Sequence, residues 1–215
     1  PFSILFRGCS SLIFYEAGVL AALKELSPSM LESASKIYGA SSGSIIATLG
    51  LCGCDIGKGS ALPFILLCLK RSNIWKLWIL TVLKDTLNLH LPPNAHQLVA
   101  GRLHVIVTRV RDCRSVVVSE FASREDLIQV LMCSCFIPFC FGLLPPTYHG
   151  VRYVDGEIGM WRSSFVSRTT ITVSAFAGEY DICPKDSPAA FLTFQLSDCV
   201  LQISKRNCCC LLCLF

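Results

Sequence analysis

Short apolar runs alternate with glycine-rich turns and with longer apolar stretches of helical spacing along the first third of the chain. Ser3–Phe6 reads as a buried strand, residues 8–11 as a turn, and residues 12–26 as a helix turning small and apolar side chains inward. The pattern returns at once. Residues 36–38 form a short strand, residues 39–43 a tight turn, and residues 44–51 the apolar start of a second helix. Two consecutive strand–turn–helix units predict a parallel sheet.

Residues 60–91 carry apolar clusters interrupted by Lys70, Arg71, Lys76 and Lys84, with Trp75 and Trp78 between them. This is an amphipathic helical pattern, suited equally to an interfacial helix or lid over a lipid site and to ordinary core-packing helices. Two β-branched runs, 103–110 and 116–121, flank a polar turn and predict two more strands. Ser123, with Asp126 three residues on and Leu127, Ile128, Val130 and Leu131 following, matches a helix capping box and starts a helix running to about Cys135. A strand over 151–154 leads straight into Asp155-Gly156, and 171–173 is the last strand of the sheet. The fold class is α/β, and 215 residues suit one compact domain.

Composition changes this picture in one respect. The chain is 53% hydrophobic and only 16% charged, against about 25% charged in ordinary soluble domains, so a lipid-facing surface is expected. The net charge of +4 is small and the basic residues are scattered, which argues against a nucleic-acid partner. Two stretches without formal charge, 37–54 and 127–151, are long enough to raise a membrane span. The first contains Ser41, Ser42, Ser44 and several glycines, and the second is broken by Pro138, Pro145 and Pro146, so both read as buried segments instead. No basic region precedes an apolar run at the start of the sequence, so no signal peptide is expected. Most of the 14 cysteines, Cys68, Cys133, Cys135 and Cys140 among them, sit singly in apolar runs and read as buried free thiols. The one C-x-x-C, Cys210 to Cys213, has no second pair, and neither a metal nor a cofactor is predicted.

The chemistry starts at Gly39-Ala40-Ser41-Ser42-Gly43, a G-x-S-x-G sequence between a strand and a helix. In a nucleophile elbow the glycines allow a sharp turn that exposes the serine, and the helix N-terminus favours developing negative charge. A glycine-rich turn that merely packs helix on strand is the alternative. Serine needs a base. His90, His96, His104 and His149 all precede Asp155, the acid that emerges from a strand end, so the usual acid-then-histidine order fails. His104 within a strand and His149 in a proline-rich loop read as structural, which leaves a Ser41–Asp155 dyad.

The elbow, the distant Asp-Gly after a strand and the N-terminal glycine turn together resemble the patatin-like phospholipase family. The similarity covers most of the chain. It is carried by Gly39 to Ser44, Arg102 to Val105, Cys133 to Pro138, Gly142 to Pro146, Gly150 to Gly156 and Asp181 to Pro184, and it points to the animal branch that includes adipose triglyceride lipase and adiponutrin. The resemblance implies a three-layer fold with a mostly parallel central sheet, a patatin-like domain over residues 1–180, and a C-terminal segment over 181–215 that is short for the family. It implies an acyl-enzyme on Ser41, Asp155 as base with Gly156 beside it, and an oxyanion hole from backbone N–H groups of Gly8, Cys9 and Ser10. Two departures fall on this machinery: the second and third glycines of the first turn are Ser10 and Ile13, and the usual Asp-Gly-Gly is Asp155-Gly156-Glu157.

The expected function is a lipid acyl hydrolase or transacylase in lipid homeostasis, acting on triacylglycerol-like esters. Its expected place is cytoplasmic, peripheral to lipid droplets or membranes. The competing expectation is a catalytically weak, droplet-associated binding protein, because the oxyanion turn and the Asp-Gly-Gly motif are both altered.

Overall fold

The computed structural model describes residues 1–9, 12–54, 79–160, 169–184, 190–196 and 199–204. Part of the 60–91 stretch, Cys68, Ser10 and the Cys210–Cys213 pair lie outside the described residues. The elements run β1 (Ser3–Phe6), α1 (Ile13–Leu26), α2 (Pro28–Ser33), β2 (Lys36–Ala40), α3 (Ser42–Leu51), α4 (Ile79–His90) and α5 (Ala95–Leu98). They continue with β3 (Leu103–Arg109), β4 (Arg114–Val118), α6 (Arg124–Ser134), β5 (Thr147–Tyr148), β6 (Val151–Asp155), α7 (Gly156–Met160) and β7 (Thr170–Val173). Three further strands, β8 (Ala177–Gly178), β9 (Ala190–Leu196) and β10 (Cys199–Ser204), form a separate antiparallel sheet that the sequence pattern did not predict.

The main sheet has a parallel core, β3-β2-β1-β7, as the repeated strand–turn–helix units predict. β4 and β6 join β3 antiparallel, and β5 joins β6. The β3–β4 connection is too short for a crossover, so only a hairpin is open to it, and Cys113 at its end takes a left-handed φ of 52°.

The core sits where the strands are apolar on both faces. Leu103, Val105, Ile106 and Val107 of β3 are all fully buried, as are Leu5 and Phe6 of β1. Helix α3 is buried along Ser42 to Leu49, which suits a helix enclosed on all sides. Helix α1 instead buries one stripe, Ile13, Glu16, Ala17 and Leu20. Helix α4 buries Leu83 and Leu87, four residues apart, and exposes Lys84 and Asp85. Helix α6 begins as the capping pattern predicts, with Ser123 Oγ accepting from the Asp126 N–H at 3.1 Å, while the Asp126 carboxylate accepts from Ala122 N–H at 3.0 Å.

The two charge-free stretches are β2 with α3, and α6 with the loop and short strand after it. No helix among the described residues is long and apolar enough to cross a membrane. Cys133 and Cys135 are buried free thiols, but Cys140 is exposed, as are Phe139, Leu143 and Leu144 of the same loop.

Candidate active site

Ser41 stands at the junction of β2 and α3 with φ 53° and ψ −131°. An L-residue is strained in that region. The sharp turn is made by Ser41 itself, and neither flanking glycine has a left-handed φ. Gly39 and Gly43 serve close approach instead: a Cβ on Gly39 would lie 2.4 Å from Ser44 Cα, and one on Gly43 2.3 Å from Phe6 O. The serine is buried to 7% exposure. Its N–H donates to Ser134 Oγ at 2.9 Å, and its carbonyl accepts from Ser44 N–H at 3.0 Å and Ser44 Oγ at 2.6 Å.

Asp155 ends β6 and is 3% exposed. Its Oδ1 accepts from the Glu157 N–H at 2.9 Å, its own N–H donates to Phe136 O at 2.8 Å, and Thr108 Oγ1 donates to its carbonyl at 2.7 Å. Burial pushes its carboxyl up to about 7, and the nearby Glu157 charge adds to the rise. The polar Ser41 hydroxyl nearby and the Glu157 N–H bond oppose it. The carboxyl is therefore poised to exchange a proton near neutrality.

One strand brings the pair together. Val105 pairs with both Gly39 and Val118, and Val107 with both Asp155 and Val116. Since a strand has two edges, β4 occupies one edge of β3 while β2 and β6 share the other. β2 leaves at Ala40, opposite Ile106, and β6 arrives from the opposite direction at Asp155, opposite Val107. The residues that follow, Ser41 and Gly156, therefore meet. Gly156 fits only without a side chain, since its Cβ would lie 2.2 Å from Ile106 O and 3.3 Å from Ala40 Cβ.

The first turn lies against this pair. A Cβ on Gly8 would sit 2.8 Å from Ser41 Cβ and 2.6 Å from Glu157 Cγ. The Gly8 N–H donates to Glu157 Oε1 at 2.6 Å, and the Cys9 N–H donates to Ser42 Oγ at 2.9 Å. Both nominated oxyanion donors that fall within the described residues thus have partners, and Ser10 lies outside those residues. Glu157 is held by Arg7, whose Nη2 donates to Oε2 at 2.6 Å and whose Nε lies 3.2 and 3.1 Å from the two oxygens. The Arg7 and Glu157 side chains are 7% and 16% exposed. Behind the turn, Glu16 is fully buried and forms no hydrogen bond of ordinary geometry. Burial raises its carboxyl well above the usual range. Cys9 Sγ lies 3.3 Å from Ser42 Oγ, and burial raises the thiol as well, so it is no thiolate.

His104, His149 and His90 make structural contacts. His104 Nδ1 lies 3.0 Å from Arg102 O, with its ring 4.9 Å from that of Tyr38. His149 Nε2 lies 3.0 Å from Asp126 Oδ1, and His90 Nδ1 lies 2.9 Å from Thr86 O. Ser134, Arg7 and the place of the Glu157 side chain escaped the sequence reading. A lone Arg at the end of the apolar strand 3–6 was the one available signal for Arg7, and nothing local marks Ser134, 93 residues from Ser41.

A family profile described as "Patatin-like phospholipase" matches residues 4–160. The chain is 41% identical over 213 residues to the omega-hydroxyceramide transacylase of Homo sapiens, covering 96% of this chain and 40% of that protein. It is 38% identical to the 1-acylglycerol-3-phosphate O-acyltransferase Pnpla3 of Mus musculus, covering 95% and 51%, and 37% identical to the patatin-like phospholipase domain-containing protein 2 of Rattus norvegicus, covering 95% and 44%. The chain thus spans about half or less of these relatives' lengths. VipD from Legionella pneumophila shares the fold, with a TM-score of 0.51 at 12% identity over 83% of this chain and 51% of that one. On the profile match and these identities, the chain belongs to the patatin-like phospholipase family.

Proposed function

We propose that this domain cleaves or transfers lipid acyl esters through an acyl-enzyme on Ser41, with Asp155 as the base, as part of lipid homeostasis. The observation that carries the reading is the buried Asp155 carboxyl, pushed up to about 7 and set at the end of the strand that meets the Ser41 elbow end-on along β3. Asp155 takes the Ser41 proton as Oγ attacks the acyl carbonyl, and the tetrahedral oxyanion forms beside the Gly8 turn. Asp155 returns the proton to the leaving alcohol as the ester C–O bond breaks. Water or a lipid alcohol then attacks acyl-Ser41, gives its proton to Asp155, and releases a fatty acid or a new ester with Ser41 restored. The relatives, a transacylase and an acyltransferase by name among them, are consistent with either acceptor.

A lipid droplet or membrane surface is the proposed workplace. Phe139, Leu143 and Leu144 are 86%, 76% and 75% exposed, and share one loop between α6 and β5. That loop is rooted at the site, since it follows Ser134 and Phe136, the partners of Ser41 and Asp155. No formally charged side chain occurs from 127 to 151, and the first one beyond, Arg152, donates to Pro145 O at 3.1 Å at the base of the loop. An apolar tip over a basic base suits insertion among anionic headgroups.

A second reading, a lipid-associated protein with little catalytic power, draws support from the occupied N–H groups of Gly8 and Cys9. Labelling of the purified protein by a fluorophosphonate separates the two. Labelling abolished in Ser41→Ala and weakened in Asp155→Asn supports the acyl-enzyme, with fatty-acid release from emulsified triacylglycerol following as the assay of turnover. A folded wild-type protein that does not label at all favours the second reading.

A further inference from the structure

Building on that acyl-enzyme reading, we propose that Glu157 is a tethered occupant of the oxyanion hole: its carboxylate rests where the reaction's oxyanion must sit, and turnover begins only when it swings away. Three observations carry this. First, the Gly8 N–H, which lies beside Ser41, donates to Glu157 Oε1 at 2.6 Å. A backbone donor at this range is what stabilises a tetrahedral oxyanion, and a carboxylate oxygen presents the same charge and acceptor character. Second, Gly8 packs closely between the other two residues, since a Cβ on it would collide with Ser41 Cβ at 2.8 Å and Glu157 Cγ at 2.6 Å. No room is left for an acyl oxygen on that donor while Glu157 stays. Third, the carboxylate is compensated. Arg7 binds both oxygens and lies with its guanidinium carbon 5.5 Å from the centre of the Tyr180 ring, so the buried charge is paired.

The tether matters because an attached carboxylate competes at an effective concentration that free anions reach only at millimolar levels or above. Its backbone has a separate task, holding Asp155 through the Glu157 N–H at 2.9 Å. The side chain can therefore leave the hole by rotation about its own bonds while the base stays oriented. This divides Glu157 into a main chain that positions the base and a side chain that blocks the acyl oxygen.

The test uses the whole chain and fluorophosphonate labelling rates, with thermal melts as a fold control. Glu157→Gly removes the side chain and keeps the N–H on Asp155, and should label at least about tenfold faster than wild type, a conservative part of what one oxyanion donor contributes. Glu157→Gln keeps the volume but loses the charge attracted by Arg7, and should fall between the two. Propionate, the detached equivalent of the missing side chain, should slow Glu157→Gly at tens of millimolar while leaving wild type nearly unchanged. Folded variants that label no faster than wild type, or propionate acting equally on both proteins, overturn the occupant without touching the Ser41–Asp155 reading. Absence of Ser41-dependent labelling in wild type and in both folded variants overturns both.

Discussion

Ser134 Oγ accepts the backbone N–H of Ser41 at 2.9 Å and donates to Ile106 O at 2.7 Å. The hydroxyl joins an N–H and a carbonyl at the point where β2 parts from β3, and so satisfies two buried groups that the diverging strands leave behind. It also fixes the end of α6 to the elbow. The root of the exposed apolar loop and Ser41 are consequently one mechanical unit, reinforced by the Asp155 N–H on Phe136 O at 2.8 Å.

Holding Ser41 this way keeps it at φ 53°, ψ −131°, a conformation costing about 1–3 kcal/mol for a residue with a side chain. Ser41→Gly relieves the strain and Ser41→Ala does not. Both should lose fluorophosphonate labelling, but the Gly variant should unfold at a higher temperature than the Ala variant, by the equivalent of about 1 kcal/mol or more. Equal melting temperatures would show that the elbow stores no strain.

Reactivity should depend on pH through Asp155. Burial raises its carboxyl to about 7, so below that pH it is protonated and cannot take the Ser41 proton. Labelling should rise through about pH 7 and level off above it. Stability should move the other way. The unfolded carboxyl has the ordinary value of 3.8 and the folded one is pushed up to about 7, so between these the folded state binds more protons and stability falls as pH rises. Asp155→Asn removes that slope, and melts at pH 5 and pH 8 should show the variant gaining on wild type at the higher pH.

The apolar loop predicts a lipid-binding phenotype separable from folding. Replacing Phe139, Leu143 and Leu144 together by Ser alters side chains that are at least 75% exposed, so the melting temperature should shift little. Co-sedimentation with vesicles containing phosphatidylserine should drop by tenfold or more, on the order of a few kcal/mol of lost apolar insertion. Labelling by a small water-soluble fluorophosphonate should persist. Unchanged sedimentation would remove this loop from the lipid contact.

What the sequence by itself determined is the local part of this protein. Strand–turn–helix order, the elbow around Ser41, the cap at Ser123 and the Asp-Gly after β6 are all set by neighbours a few residues apart, and hydrophobic period and turn chemistry act over that range. The sequence also marked Glu157 as unusual beside Asp155. Only the tertiary structure decided where that carboxylate points, because its partners, Arg7 and Gly8, lie 150 and 149 residues away and no periodicity links them. The same holds for β6, which aligns end-on with β2 along one edge of β3, and for Ser134 under Ser41. Local propensity chooses the elements; the pairing of buried hydrogen-bond groups across distant segments chooses which side chains share the site.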